Sequence, residues 1–224
     1  VNAANTTALK KSEAKYKDLV EKASIAISTS NKKGKIKFFN ADFADLFGYS
    51  HEEMLSKFQH NFIHEDHLKQ VQKFTEDRMA GKFAPDRYEF KAIKKDSSEF
   101  WVEMKVSLLI EHQKIIGTRN YIWDITERKN SEFRFRNLFS KMNSGVAILR
   151  YEKELDEVFI SEMNVAGLKI LHKSLKQVIQ QSFNYCFPAN MPIELRNTIL
   201  RAYHSGTAEW IPQYLNGMPL DRKS

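Results

Sequence analysis

Between Tyr88 and Ile125 apolar and polar residues alternate almost without a break, and that alternation limits the possible folds more than any other feature of the chain. Tyr88, Phe90 and Ala92 alternate with Glu89 and Lys91. Phe100, Val102, Met104, Val106 and Leu108 alternate with Trp101, Glu103, Lys105 and Ser107. Successive side chains of a strand point to opposite faces, so a period of two marks strands with one face on a core and the other toward water. The polar turns Lys95-Asp96-Ser97-Ser98 and Glu111-His112-Gln113-Lys114 divide the stretch into three antiparallel strands, the last from about Ile115 to Ile125.

Upstream the period changes. Ser12 to Lys22 reads as a helix with Tyr16, Leu19 and Val20 on one face. Ile25 to Ser30 and Lys35 to Phe39 are short apolar runs around a Lys/Gly turn, which is a hairpin signal. Short helices are predicted from Ala41 to Phe47 and from His51 to Leu55, and a longer one from about Glu65 to Met79 with Leu68, Val71 and Phe74 inward. Two strands, several short helices and three strands predict an α+β domain: one antiparallel five-stranded sheet with short helices on one face.

Four motifs on that pattern carry a family resemblance. Gly34-x-Ile36-x-Phe38-Phe39-Asn40-x-x-Phe43 is followed by Leu46-Phe47-Gly48-Tyr49-Ser50-x-Glu52, then by Phe62-Ile63-His64-Glu65-Asp66. The stretch closes on Trp123-Asp124-Ile125-Thr126-Glu127-Arg128-Lys129. Their order across residues 16–129 resembles the PAS domain, with its PAC ending, as found in sensory proteins of bacteria and archaea. The opening then returns: Tyr16-Lys-Asp-Leu-Val-Glu-Lys reappears as Phe135-Arg-Asn-Leu-Phe-Ser-Lys, and Val158 to Gly167 resembles the strand-Asn-x-Ala segment. Ile193 to Ala208 would be the second copy's long helix and its exit. After Glu209-Trp-Ile-Pro-Gln-Tyr-Leu the chain ends short of two further strands. The expected organisation is a flanking helix at 1–22, a first PAS domain at 23–126, a linker helix at 127–141, and a second PAS domain at 142–224, incomplete at its C-terminal end.

Composition excludes several functions. A net charge of +7 invites a nucleic-acid partner, but lysines gather in hairpin tips such as Asn31-Lys32-Lys33-Gly34-Lys35, and no basic helix or aromatic-basic strand appears, so no nucleic acid is expected. No apolar run approaches the roughly 20 residues that span a bilayer, so no membrane insertion is expected in this stretch. The single cysteine, Cys186, fits a cytoplasmic location and reads as a buried small hydrophobe beside Phe187 and Pro188. Val1 and the polar run ending at Ser224 are expected to be boundaries of a larger protein.

Catalytic constellations are missing from the sequence. His60-x-x-x-His64-x-x-His67 has metal-like spacing, but a helix break between His60 and Glu65 is expected to separate the imidazoles, so no metal is assigned. A haem-binding relative would be expected to carry a His inside the long helix, where Val71, Gln72 and Phe74 stand. Neither a flavin-adduct cysteine motif nor a phosphate loop is present. The chain is therefore read as no enzyme and as having no cofactor, with an unknown small ligand left open. Inward positions Phe39, Leu46, Phe62, Leu68, Val71, Phe90, Met104 and Ile122 either line a ligand cavity or fill the core, and Asn120 is the one polar residue placed inward.

The resemblance implies a sensory, dimerisation and signal-relay module, most concretely the input region of a sensor histidine kinase of a two-component system. The alternative is the sensor of a cyclic-dinucleotide enzyme or transcription regulator. Relay is assigned to Trp101, Asp124, Ile125 and Thr126, since Asp and Thr suit a strand-to-helix junction. Trp101 is expected on the outer sheet face, under the Tyr16-Leu19-Val20 helix or a partner subunit. The flanking helices are expected to form a homodimer, with an output domain outside these residues.

Overall fold

The computed structural model describes residues 20, 25–186, 193–209, 214–215 and 218–219 of two compact units, divided between Glu132 and Phe133. Most of the predicted Ser12 to Lys22 helix, including Tyr16 and Leu19, lies outside the described residues, as do Phe187 and Pro188.

In the first unit, β1 (Ala26–Asn31) and β2 (Ile36–Phe39) form the hairpin, turning at Gly34 with φ 76°. Then come α1 (Ala41–Phe47), α2 (His51–Met54), a 3-10 turn (Gln59–Phe62) and α3 (Glu65–Met79). Each helix starts at a side chain able to take up a free amide. Asn40 accepts from Phe43, Ser50 and Glu53 form a reciprocal capping box, and His64 Nδ1 accepts from Asp66. Gly48, at φ 73°, ends α1 in the left-handed conformation that favours glycine.

Strands β3 (Arg87–Ile93), β4 (Glu99–Glu111) and β5 (Lys114–Asp124) follow. Every pairing is antiparallel and the order is β2-β1-β5-β4-β3, so the last strand returns to the first and closes hairpin and meander into one sheet. The return is tight at Gly117, where a Cβ would stand 1.8 Å from the Ser30 carbonyl oxygen. The core lies between the sheet's inner face and the helices. Phe43 and Phe47, one turn apart on α1, pack on Phe62 at 5.7 and 4.7 Å between ring centres, and Phe47 also meets Phe100 at 5.5 Å.

Asn40 ties hairpin to helix. It is fully buried, and its Oδ1 accepts the amides of Ile27 (2.9 Å) and Phe43 (3.2 Å). Its Nδ2 donates to the carbonyls of Val20 (3.1 Å) and Ile25 (2.8 Å). Two acceptor sites and two donors are thus all used, the full capacity of an amide side chain.

Helix α4 (Thr126–Lys141) leaves the sheet at β5 and crosses the division between the units. The second unit holds the antiparallel pair β6 (Ala147–Glu152) and β7 (Glu157–Met163), then α5 (Val165–Leu171), a 3-10 turn (Leu175–Gln177), α6 (Phe183–Cys186) and α7 (Ile193–Ser205). A further pair, β8 (Tyr214–Leu215) and β9 (Met218–Pro219), has two residues per strand. Among the described residues the β6–β7 sheet stops at two strands. Its small core is Ile160, Met163, Val178 and Cys186.

The hydrogen bonding of the first unit's opening recurs here. Asn164 Oδ1 accepts the amides of Val146 and Gly167, and its Nδ2 donates to Ser144, each at 2.9 Å. His172, at φ 51°, ends α5 as Gly48 ends α1, and Ser174 with Gln177 repeats the capping box. The Ile160 amide reaches the Gln181 carbonyl (3.2 Å) as Ile36 reaches Lys57 (3.1 Å).

Candidate functional site

Cross-strand register lays the inner face of the first unit's sheet out in rows. One row is Tyr88, Met104, Ile122 and Ala26; the next is Val106, Asn120, Ser28 and Phe39; a third is Leu108, Thr118, Ser30 and Ile36. Above them α1, the 3-10 turn and α3 leave a cavity of about 330 Å³. That is at the small end of the roughly 300–1,000 Å³ typical of small-molecule sites.

Six of the nine sequence-nominated pocket residues line it: Phe62, Val71, Phe90, Met104, Asn120 and Ile122. The other three belong to the surrounding packing. Phe39 is buried against Phe43 and His51, while Leu46 and Leu68 are half-buried against the same core. Gln72, read as interior to the long helix, is exposed at the cavity rim.

Asn120 is not the only inward polar residue, which corrects the sequence reading. Ser28, Ser30 and Thr118 are buried beside it and form a polar floor. Asn120 Nδ2 donates to Ser28 Oγ (3.2 Å), Ser30 Oγ and Thr118 Oγ1 share a hydrogen bond (2.9 Å), and Gln59 Nε2 donates to Thr118 (3.3 Å). Parity held the signal, because Thr118 shares a strand face with Asn120, and Ser28 and Ser30 share one with Ala26.

The opposite wall carries a charge that the sequence reading missed, although Arg78 follows Val71 by seven residues and Phe74 by four and so shares their helix face. Arg78, from the last turn of α3, is 7% exposed and lines the cavity. Its Nη1 donates to the Phe74 carbonyl (3.5 Å) and its Nη2 to that of Pro85. The Tyr88 hydroxyl lies beside it; burial pushes this phenol up to about 12, against the opposing effect of the neighbouring guanidinium.

The four nominated relay residues converge on one joint. The Trp101 amide donates to Thr126 Oγ1 (3.0 Å), whose hydroxyl in turn reaches the Trp101 carbonyl (3.4 Å). That carbonyl also accepts the Ile125 amide (2.9 Å), and Asp124 Oδ1 accepts the Thr126 amide (2.8 Å) at the start of α4. Trp101 is half-buried, on the sheet face opposite buried Phe100 and Val102. His67 of α3 meets its ring edge-on at 5.4 Å, and Lys129 of α4 sits over it, also at 5.4 Å. A second latch joins the same elements: Glu89 of β3 binds Arg128 at 2.7 Å and Lys129 at 2.5 Å, and these cations hold its carboxyl below the usual carboxylate range.

The three spaced histidines do not converge. His60 stacks on Phe58, His64 faces Glu99 through Nε2 at 3.0 Å, and His67 meets Trp101. Cys186 is buried in the second unit, its sulfur 3.8 Å from the Val178 carbonyl. Among the described residues no helix is long and apolar enough to cross a membrane.

An open five-stranded antiparallel sheet, helices over a cavity and a last strand continuing into an outgoing helix define an α+β domain with one helix-covered sheet face. A family model of the PAS domain matches residues 22–127, and this segment belongs to that family. No curated protein matches the chain. Similar solved structures include the PAS domain of a protein from Colwellia psychrerythraea, 21% identical, covering 54% of this chain and 99% of that one, with a TM-score of 0.46. The PAS domain of an HTR-like protein from Haloarcula marismortui is 20% identical over 55% of this chain and 98% of that one, TM-score 0.45. A sensory box histidine kinase/response regulator from Burkholderia thailandensis is 19% identical over 55% and 93%, TM-score 0.45.

Proposed function

We propose that the chain is a sensory and relay module in which occupancy of the first unit's cavity is read out as a change in the direction or register of α4. The carrying observation is the double attachment of Trp101. Its ring contacts His67 on the helix that covers the cavity, and its backbone holds Thr126 at the root of the outgoing helix. A ligand that shifts α3 relative to the sheet therefore has a short mechanical path to α4, and cavity and joint can share one two-state equilibrium.

The second unit is read as an incomplete second copy of the same domain, supported by the recurrence of the Asn40 bonding at Asn164. Dimerisation is assigned to α4. It buries no residue and exposes Phe135 (50%) and Leu138 (65%), with Met142 (47%) just past its end, at spacings of three and four, the seam of a paired helix. Sedimentation at tens of micromolar should give a dimer. The output is proposed to be a histidine kinase domain outside these residues; that part rests on motif resemblance alone, and the sequence of the full gene decides it.

The test uses the full-length protein with Trp101→Leu. Ligand binding in the cavity should persist while stimulus-dependent output is lost. Normal output would sink the relay, and lost binding would show that Trp101 supports the cavity rather than the joint.

A further inference from the structure

We propose that the cavity takes a small apolar molecule bearing one carboxylate, with the carboxylate held at Arg78 and Tyr88; this rests on reading the cavity as a ligand site. Arg78 is the first reason. A guanidinium has five N–H donors and cannot lose its proton in a protein. The hydrogen bonds of Arg78 go to two neutral carbonyls, and among the described residues no carboxylate lies within ion-pair distance of it. Buried charges are costly unless an opposite charge meets them. The ring of Tyr88 lines the same wall, so a phenol donor stands beside the guanidinium. An oxygen pair placed there receives charge-assisted bonds from a fork and a hydroxyl together.

The remaining lining sets the rest of the molecule. Phe43, Phe47, Phe62 and Phe90 with Val71 form an apolar middle suited to a ring or short chain. The polar floor at Asn120 and Thr118 is neutral and stands on β5, two strands from Tyr88 on β3, roughly 10 Å across the sheet. A second anionic group would meet no cation there. The rim carries Lys32 and Lys33 against Glu76, which favours an anion on approach.

Calorimetric titration of the 224-residue chain with phenylpropanoate, phenylpropanol and phenylpropylamine separates the possibilities, since the three share a skeleton and differ in charge. Phenylpropanoate should bind about ten-fold or more tighter than the alcohol, and the amine weakest. Arg78→Gln should weaken the acid by about ten- to hundred-fold and leave the alcohol unchanged, with a cooperative melt showing that the domain is folded. If that variant does not fold, Tyr88→Phe carries the test: the acid should lose about three- to ten-fold and the alcohol nothing. Equal binding of acid and alcohol, or an acid indifferent to both substitutions, overturns the carboxylate assignment while leaving a ligand cavity. No binding of any of the three overturns both.

Discussion

Thr126→Val isolates the joint between sheet and helix. Valine keeps the branched shape and deletes one oxygen, so the Trp101 amide loses the acceptor it holds at 3.0 Å while the 2.9 Å bond from Ile125 to the Trp101 carbonyl stays. An orphaned, fully buried donor costs about 1–3 kcal/mol. This one is part-buried, so water can take over some of the bond and about 1–1.5 kcal/mol is the expected loss. A domain stable by roughly 5–15 kcal/mol survives that, and its melting temperature should fall by about 5–10 °C. Output should change far more than stability does, because the lost bond is one of the few that fix where α4 begins. The assay pairs a thermal melt of the chain with stimulus-dependent output of the full-length protein, for Thr126→Val and for Thr126→Ser. Serine restores the oxygen and should restore the response. If valine keeps a normal response, or serine fails as badly as valine, the hydroxyl bond is only a structural terminus and the relay argument is wrong.

Two further substitutions probe what holds the sensor together. Asn40→Asp puts a carboxylate against the Val20 and Ile25 carbonyls and deletes both donors, so urea denaturation should show a loss of about 3–5 kcal/mol; a loss below about 1 kcal/mol would remove Asn40 from its place as the tie between hairpin and helix. Glu89 titrates below its ordinary value because Lys129 and then Arg128 bind its ionised form, so its contribution is present above the unfolded carboxylate pKa and is lost as pH falls through the lowered folded value. Protection of the amides in the first turn of α4, taken relative to their intrinsic exchange rates at each pH, should accordingly fall in acid, and Glu89→Gln should give low protection there that depends less on pH; a first turn equally protected in both proteins would refute the latch.

Much of the scaffold was legible because its signals are local. A sheet with one wet face imposes a period of two, and the strands between Arg87 and Asp124 follow it. Asn40, Ser50 and His64 are helix starts whose chemistry acts within three residues, so α1, α2 and α3 begin where the sequence places them. The Asp124–Thr126 joint was legible for the same reason, although the partner of Thr126 was not: its hydroxyl bonds Trp101, two strands back in the chain, rather than its own helix.

The cavity was less legible because period identifies a face and says nothing of where facing surfaces fail to meet. Phe39 and Phe90 are equally inward by alternation, yet Phe39 sits under α2 and Phe90 under the void. Arg78 is the sharper case. On a helical wheel it shares the inward face with Val71 and Phe74, where a charge is unexpected, and the carbonyls of Phe74 and Pro85 are what receive the guanidinium there. Its neighbour Asp77, one residue away, pairs with Lys73 on the exposed side of α3. Two adjacent charged residues thus have opposite fates because roughly 100° of helix rotation separates them, which brings one to a tertiary carbonyl and the other to an i,i+4 partner. The carboxylate proposal therefore predicts that changes at residues 80–86, which hold Arg78 through the Pro85 carbonyl, shift the preference for phenylpropanoate over phenylpropanol in the same titration; an unchanged preference would separate Arg78 from that loop.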